Sequence, residues 1–233
     1  MALEPLLSLH QVEKSFGKGN KKVDVLHNIN MTVPSHSLTA LRGRSGSGKT
    51  TLLNLIGGLD VPSKGEIFFR NEPIHTLSEK QSAEIRRKQI GFIFQSFGLV
   101  PLMTVEENVA FGLRIAGIPK EEWKERIQDA IEFVQLTKRV THRPFELSGG
   151  EQQRVAIARA IAPTPSLILA DEPTAELDSN MAYHIIRTFQ EITNQHKTTI
   201  IMTTHDPGIL NILDHVYTLE DGYIVEDQME KEV

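Results

Sequence analysis

SLTALRGRSGSGKTTLLNLIGGL, residues 37–59, carries an apolar run straight into a glycine-rich turn and then into a stretch of good helix formers. Within it Gly43-Arg44-Ser45-Gly46-Ser47-Gly48-Lys49-Thr50 fits the pattern G-x-x-x-x-G-K-[ST] in full. Glycines here permit the backbone angles that turn successive N–H groups inward, forming a nest for phosphate oxygens. The helix expected next adds the positive end of its dipole. Lys49 supplies a point charge to the β- and γ-phosphates, and the Thr50 hydroxyl is a ligand for Mg2+. Ser45, Ser47 and Thr51 are counted with them as the residues that surround the phosphates.

Outward from this turn, periodicity assigns the elements. Leu7, Leu9 and Val12 alternate in strand fashion, as do Val23, Val25, Ile29, Met31 and Val33. EIFF at 66–69 and IGFIF at 90–94 read as further strands, with a charged helix, SEKQSAEIRRK, between them. The basic run Arg86-Arg87-Lys88 reads as the solvated end of that helix. From Thr104 to Ala160 the pattern is helical, and Trp123, Ile127, Ala130, Ile131 and Val134 mark one buried stripe. Strand–helix alternation then returns: SLILA, a helix with Met181, Ile185, Phe189 and Ile192, and TTIIMTT. Two short strands around Glu220-Asp221-Gly222 give a hairpin. The whole reads as one α/β unit with a sheet largely parallel in its core, interrupted by a helical insert.

Two further stretches carry chemistry. SLILADE at 166–172 delivers two carboxylates at the C-terminal end of an apolar strand, where α/β sheets place ligands. Asp171 is positioned there to hold hydrated Mg2+, and Glu172 to accept a proton from an attacking water. In LSGGEQQRVAIARA at 147–160, Ser148 and Glu151 form an S-x-x-E capping box, so a helix begins there. Gly149 and Gly150 leave its N-terminus bare to an approaching anion.

LSGGEQ, in this order after the glycine-rich loop, resembles the signature sequence of ABC-type ATPases. The resemblance extends over nearly the whole chain. It implies an ATP-binding P-loop NTPase (RecA-like) core with a mainly parallel sheet, an N-terminal antiparallel β subdomain and an inserted helical subdomain. The core with its β subdomain is then expected at 1–95 and 161–233, and the helical subdomain at 96–160. It also assigns roles. Gln95 matches the glutamine that contacts Mg2+ and the attacking water, and His205 the histidine that touches the γ-phosphate. Asp178, in Ala175-Glu176-Leu177-Asp178, matches the loop that communicates across a dimer. Phe16 matches the aromatic residue that stacks on adenine; many members have Tyr there, and Phe keeps the stacking face. Arg44 stands where proline is frequent, at a variable position of the loop. ATP is then expected between the loop of one subunit and Ser148, Gly149 and Gly150 of another, in a homodimer.

LLNLIGGLDVPSKGEI, GFIFQSFGLVPLMTVEENV and ARAIAPTPSLILADEPTAELD look like the branch of macrolide exporters, lipoprotein-releasing ATPases and antimicrobial-peptide exporters. That branch implies a separate few-helix integral-membrane permease, an extracytoplasmic adaptor protein as a further partner, and a place on the cytoplasmic face of the cell membrane. Sequence alone barely separates an exporter from a cell-division-type regulator that controls a cell-wall hydrolase through a similar permease. Non-transport ABC ATPases of DNA repair or the ribosome fit less well, because neither long coiled coils nor a second ATPase half occurs.

Bulk properties agree. The chain has 233 residues, 39% hydrophobic and 24% charged, with 30 acidic against 25 basic residues and a formal net charge of −5. A nucleic-acid surface wants a clustered basic excess, so no nucleic-acid partner is expected. With no cysteine, neither disulfides nor thiolate metal sites are available. The N-terminal MALEPLLSLHQVEKSF does not read as a signal peptide, and no stretch reaches the ~20 apolar residues of a membrane span. His10, His27, His36, His75, His142, His184, His196 and His215 read as surface or satisfied residues rather than metal ligands.

Overall fold

β-branched and aromatic runs become strands, and these assemble into two separate sheets that position everything else. The computed structural model describes residues 5–229. β1 (Pro5–Phe16) and β2 (Val23–Pro34) pair antiparallel, and β1 also pairs antiparallel with β4 (Lys64–Phe69), which is followed by the short β5 (Glu72–Pro73). These four form one sheet in the order β2-β1-β4-β5. The second sheet contains β3 (Leu38–Arg42), β6 (Ile90–Ile93), β7 (Leu167–Ala170), β8 (Thr199–Thr204), β9 (His215–Glu220) and β10 (Tyr223–Met229). Its order is β10-β9-β3-β8-β7-β6; every pairing is parallel except that of β9 with β10.

β7 and β8 are buried along their whole length, as central parallel strands covered on both faces must be. Alternate side chains then serve two cores. Ile168, Ala170, Ile200 and Met202 face the helices α3 (Val105–Ala116), α4 (Lys120–Phe133), α5 (Gly149–Ile161) and α6 (Ser179–Gln195). Leu167, Leu169 and Ile201 face α1 (Lys49–Ile56) and the antiparallel sheet. In α6 the buried positions Ala182, Ile185, Ile186, Phe189 and Ile192 fall at spacings of one, three and four, a single stripe. Each such large side chain, fully buried, contributes roughly 1.5–3 kcal/mol. The expected stripe of α4 is also inward: Ile127, Ala130, Ile131 and Val134 are buried and Trp123 half-buried, its indole N–H donating to Ile118 O.

The β9–β10 turn carries Asp221 and Gly222 with φ of 45° and 81°, the left-handed pair a tight hairpin requires. Gly222 is also obligatory sterically, since a Cβ there would lie 2.2 Å from Val25 O. The basic run in α2 (Glu79–Gln89) departs from its reading as a solvated helix end. Arg86 donates to Gly58 O and pairs with Glu79, while Arg87 pairs with Glu84 and donates to Ala116 O. These long side chains staple α2 to the end of α1 and to α3, using donors that the local pattern cannot reveal.

Candidate functional site

The turn from β3 into α1 is shaped by glycines that nothing else could replace. Gly48, the residue before the helix, has φ of 101°, and a Cβ there would meet Leu26 Cδ2 at 2.7 Å. A Cβ on Gly43 would lie 2.4 Å from Leu219 O and 2.5 Å from Ser47 Oγ. The first intrahelical bond runs from Leu52 N to Gly48 O, so the amides of Lys49, Thr50 and Thr51 keep the free donors of a helix start. Ser47 Oγ is buried and has no hydrogen-bond partner. A buried orphan hydroxyl in a ring of free amides is what a phosphate oxygen would satisfy. Lys49 is itself buried, and its ammonium donates to Gly43 O (2.8 Å) and Arg44 O (3.1 Å), curling back across the mouth of the turn. Gly43, Arg44, Ser45, Gly46 and Ser47 line a cavity of about 640 Å³ with His205 and the β9–β10 end.

Parallel pairing sets the acids beside this turn. The Thr50 hydroxyl lies 3.2–3.3 Å from both carboxylate oxygens of Asp171, just past the end of β7. Thr203 Oγ1, at the end of β8, donates to Asp171 Oδ1 (2.7 Å) and accepts from Glu172 N (2.8 Å). Glu172 adopts φ of 44°, a left-handed conformation that costs a non-glycine residue about 1–2 kcal/mol. Its carboxylate stands 4.0 Å from Lys49 Nζ and 3.4 Å from His205 Nδ1. Two hard oxygens, from Thr50 and Asp171, suit a cation that keeps waters and takes phosphate oxygens for its other ligands. No group of three or more His, Cys, Asp or Glu forms a metal cage among the described residues.

The remaining expected residues sit on two other faces. Gln95, beyond β6, donates from Nε2 to Glu176 Oε1 at 3.4 Å and not to Asp171. Asp178 caps α6, its Oδ1 accepting from Asn180 N and Met181 N at 3.0 Å each. Ser148 caps α5 in the expected reciprocal box: Glu151 N donates to Ser148 Oγ (3.3 Å) and Ser148 N to Glu151 Oε2 (2.9 Å). Those bonds, Ser148 N–H foremost and Arg139 next, hold the Glu151 carboxyl below its ordinary range against the opposing effect of burial. A Cβ on Gly149 would meet Leu177 and Phe97, and one on Gly150 would strike Met181 at 2.7–2.9 Å. No hydrogen bond or ion pair joins Ser148, Gly149 or Gly150 to the Gly43–Thr50 loop among the described residues. Phe16, 45% exposed at the end of β1, lies outside the lining of the loop cavity.

Two side chains stand out that sequence reading did not single out. Thr203 bridges both acids, and its only signal was a pair of threonines ending an apolar strand. His215 is buried and pairs through Nε2 with Asp227, while its Nδ1 has no partner. That histidine is therefore half satisfied, which departs from its reading as a surface or satisfied residue. His142 Nδ1 is likewise buried without a partner.

A strand that feeds a glycine-built anion nest, with an Asp–Glu pair two strands over, defines a nucleoside-triphosphate-binding fold of the P-loop class. The chain belongs to the ABC transporter family, whose model matches residues 26–175. It is 40% identical to the lipoprotein-releasing system ATP-binding protein LolD of Pseudomonas fluorescens over 97% of this chain and 99% of that one. It is also 40% identical to the macrolide export ATP-binding/permease protein MacB of Marinobacter nauticus over 97% of this chain, which spans 35% of that longer protein. The structure of the ATP-binding cassette MJ0796, a dimer bound to ADP and phosphate, matches with a TM-score of 0.87 and 35% identity over 97% of this chain and 100% of that one. This chain is thus an ATP-binding and ATP-hydrolysing cassette.

Proposed function

We propose that two copies of this chain close around ATP and drive a separate membrane permease, in a system of the kind named for LolD and MacB. One observation carries the reading: within one chain, the Gly43–Thr50 loop and the bare start of α5 are two anion-binding ends that do not meet. A second copy, turned head to tail, supplies each loop with the missing Ser148, Gly149 and Gly150. That the related cassette MJ0796 is a dimer bound to ADP and phosphate supports a pairing of two copies. In each site the loop amides and Lys49 bind the phosphates, and Phe16 stacks on the base. Glu172 takes the proton of the attacking water, with His205 on the γ-phosphate and Gln95 orienting the water. Thr50, Asp171 and Gln95 are the residues to hold Mg2+, which when bound neutralises charge developing on the phosphates. Asp178, one turn from Gly150's neighbour Met181, carries the state of one site toward the other.

Residues 96–160 move as the helical unit that presents the signature, against a core of 1–95 and 161–233. Between the two lies an apolar groove of about 550 Å³ lined by Phe92, Phe94, Phe111, Ile115 and the stem of Arg159. A permease helix laid there would feel both the loop after Gln95 and the signature helix. No helix among the described residues is long and apolar enough to cross a membrane. In this reading the cassette works from the cytoplasmic face, held by its permease, with an extracytoplasmic adaptor on the far side. Glu172→Gln keeps the side-chain shape and removes the base. Turnover should fall at least ~10²-fold while ATP still binds, so that gel filtration with ATP finds a stable dimer. A variant that stays monomeric with near-normal turnover would sink the assignment.

A further inference from the structure

A buried cation stands behind the ring that is read as the adenine platform. Lys14 is 8% exposed, on β1 two residues before Phe16, so the two side chains share a face of the strand. Its ammonium donates to Asp60 Oδ1 (2.6 Å) and Val61 O (2.8 Å), and lies 4.8 Å from the centroid of the Phe16 ring. The backbone on either side is tied to the same loop: Ser63 N donates to Glu13 O at 2.8 Å and Ser15 N to Ser63 Oγ at 3.0 Å. Lys14 is therefore fixed by an anion, a carbonyl and its strand. Phe16, by contrast, is 45% exposed. A cation over one face of an aromatic ring is attracted to it, so that face is occupied and the ring is held.

The strand pair that carries Phe16 runs on to the phosphate turn. Phe16 pairs with Val23 across β1 and β2. Two residues on, Val25 O lies 3.3 Å from where a Cβ of Gly48 would be, at the phosphate turn. Two strand residues span about 7 Å, a gap that a ribose fills between phosphates at the turn and a base at the ring.

We propose that Lys14, held by Asp60, is a positioning residue that fixes the Phe16 ring for the base of the bound nucleotide. It presets the platform, so the side-chain entropy of ordering an exposed ring is not charged against binding. This rests on the nucleotide reading above. Were Lys14 only an anchor for residues 60–61, its loss would weaken binding of any ligand of the phosphate turn, with or without a base.

The test is calorimetric titration of the full chain with Mg-ATP and with Mg-tripolyphosphate. Lys14→Met keeps the apolar stem and should raise the Kd for ATP about three- to tenfold while moving that for tripolyphosphate by less than about twofold. Lys14→Arg should restore ATP affinity. Asp60→Asn, which frees Lys14 without emptying the site, should shift the preference in the same direction and decides the matter if Lys14→Met does not fold. Equal losses for the two ligands in Lys14→Met, or unchanged ATP affinity in both variants, would overturn the proposal. Phe16→Ala separates the two levels. If it abolishes the preference for ATP over tripolyphosphate while Lys14→Met does not, only the role of Lys14 falls. If it leaves the preference intact, base stacking on Phe16 falls as well.

Discussion

Thr203 concentrates more of the acid geometry than either acid does alone. Its hydroxyl donates to Asp171 and accepts from the backbone of Glu172, whose left-handed φ needs an outside constraint. Thr203→Val keeps the shape but leaves the Glu172 N–H without its acceptor and takes from Asp171 Oδ1 its 2.7 Å donor, with only the longer Thr50 contact remaining. An unsatisfied buried group costs about 1–3 kcal/mol, so thermal unfolding of the variant should reveal a loss of that size. Because both acids lose their aim while the phosphate turn is untouched, kcat should fall about tenfold, with ATP affinity changed less than about threefold. Wild-type kcat in Thr203→Val would show that the acids are oriented without it. The acids themselves were legible in the sequence because motif and strand end coincide there. Thr203 was not, since it lies far along the chain. Only the β7–β8 register, which pairs Ala170 with Met202, makes Asp171 and Thr203 neighbours.

The start of α5 illustrates how much an element states for itself. Ser148 followed by Glu151 announces the cap, and both reciprocal bonds form. Strand alternation, the α6 stripe and the hairpin around Asp221-Gly222 are legible in the same way, because each depends on near neighbours in the chain. The short β5 and the Arg86 and Arg87 staples were not, because their partners come from other elements. The cap has a pH signature. Folding lowers the pKa of Glu151, so its stabilisation is present above the unfolded carboxyl value of about 4.3 and is lost as pH falls below it. Glu151→Gln keeps the capping hydrogen bond and removes the charge. Wild type should melt about 1–3 °C above this variant at pH 7, and the gap should close below about pH 4. A gap that is constant with pH would mean the charge contributes nothing to the cap.

At the scale of the whole molecule the question is whether the two anion-binding ends serve one nucleotide or two. The phosphate turn is complete in one chain: amides, the orphan hydroxyl of Ser47 and Lys49 converge without help. The signature is not part of it, since Gly149 and Gly150 pack toward Leu177, Phe97 and Met181 instead. A monomer should therefore bind ATP through the turn alone, while turnover should need the start of α5 from a second copy. Lys49→Ala removes the charge that faces the phosphates on the same chain, and charge-assisted contacts of that kind contribute strongly to binding. It should weaken binding of a fluorescent nucleotide by the monomer at least about tenfold. Ser148→Arg places a bulky side chain where the second copy would approach, yet among the described residues Ser148 makes no hydrogen bond to its own loop. Monomer affinity should then stay within about twofold of wild type while turnover is lost, because the start of α5 is spoiled only for the partner. Mixing the two variants gives the sharper result. A heterodimer of Lys49→Ala and Ser148→Arg has one site with both defects and one with neither, so partial turnover should return on mixing two inactive proteins. No recovery, or equal loss of monomer binding in both variants, would place the signature and the phosphate turn in the same chain's site and remove the reason for a dimer.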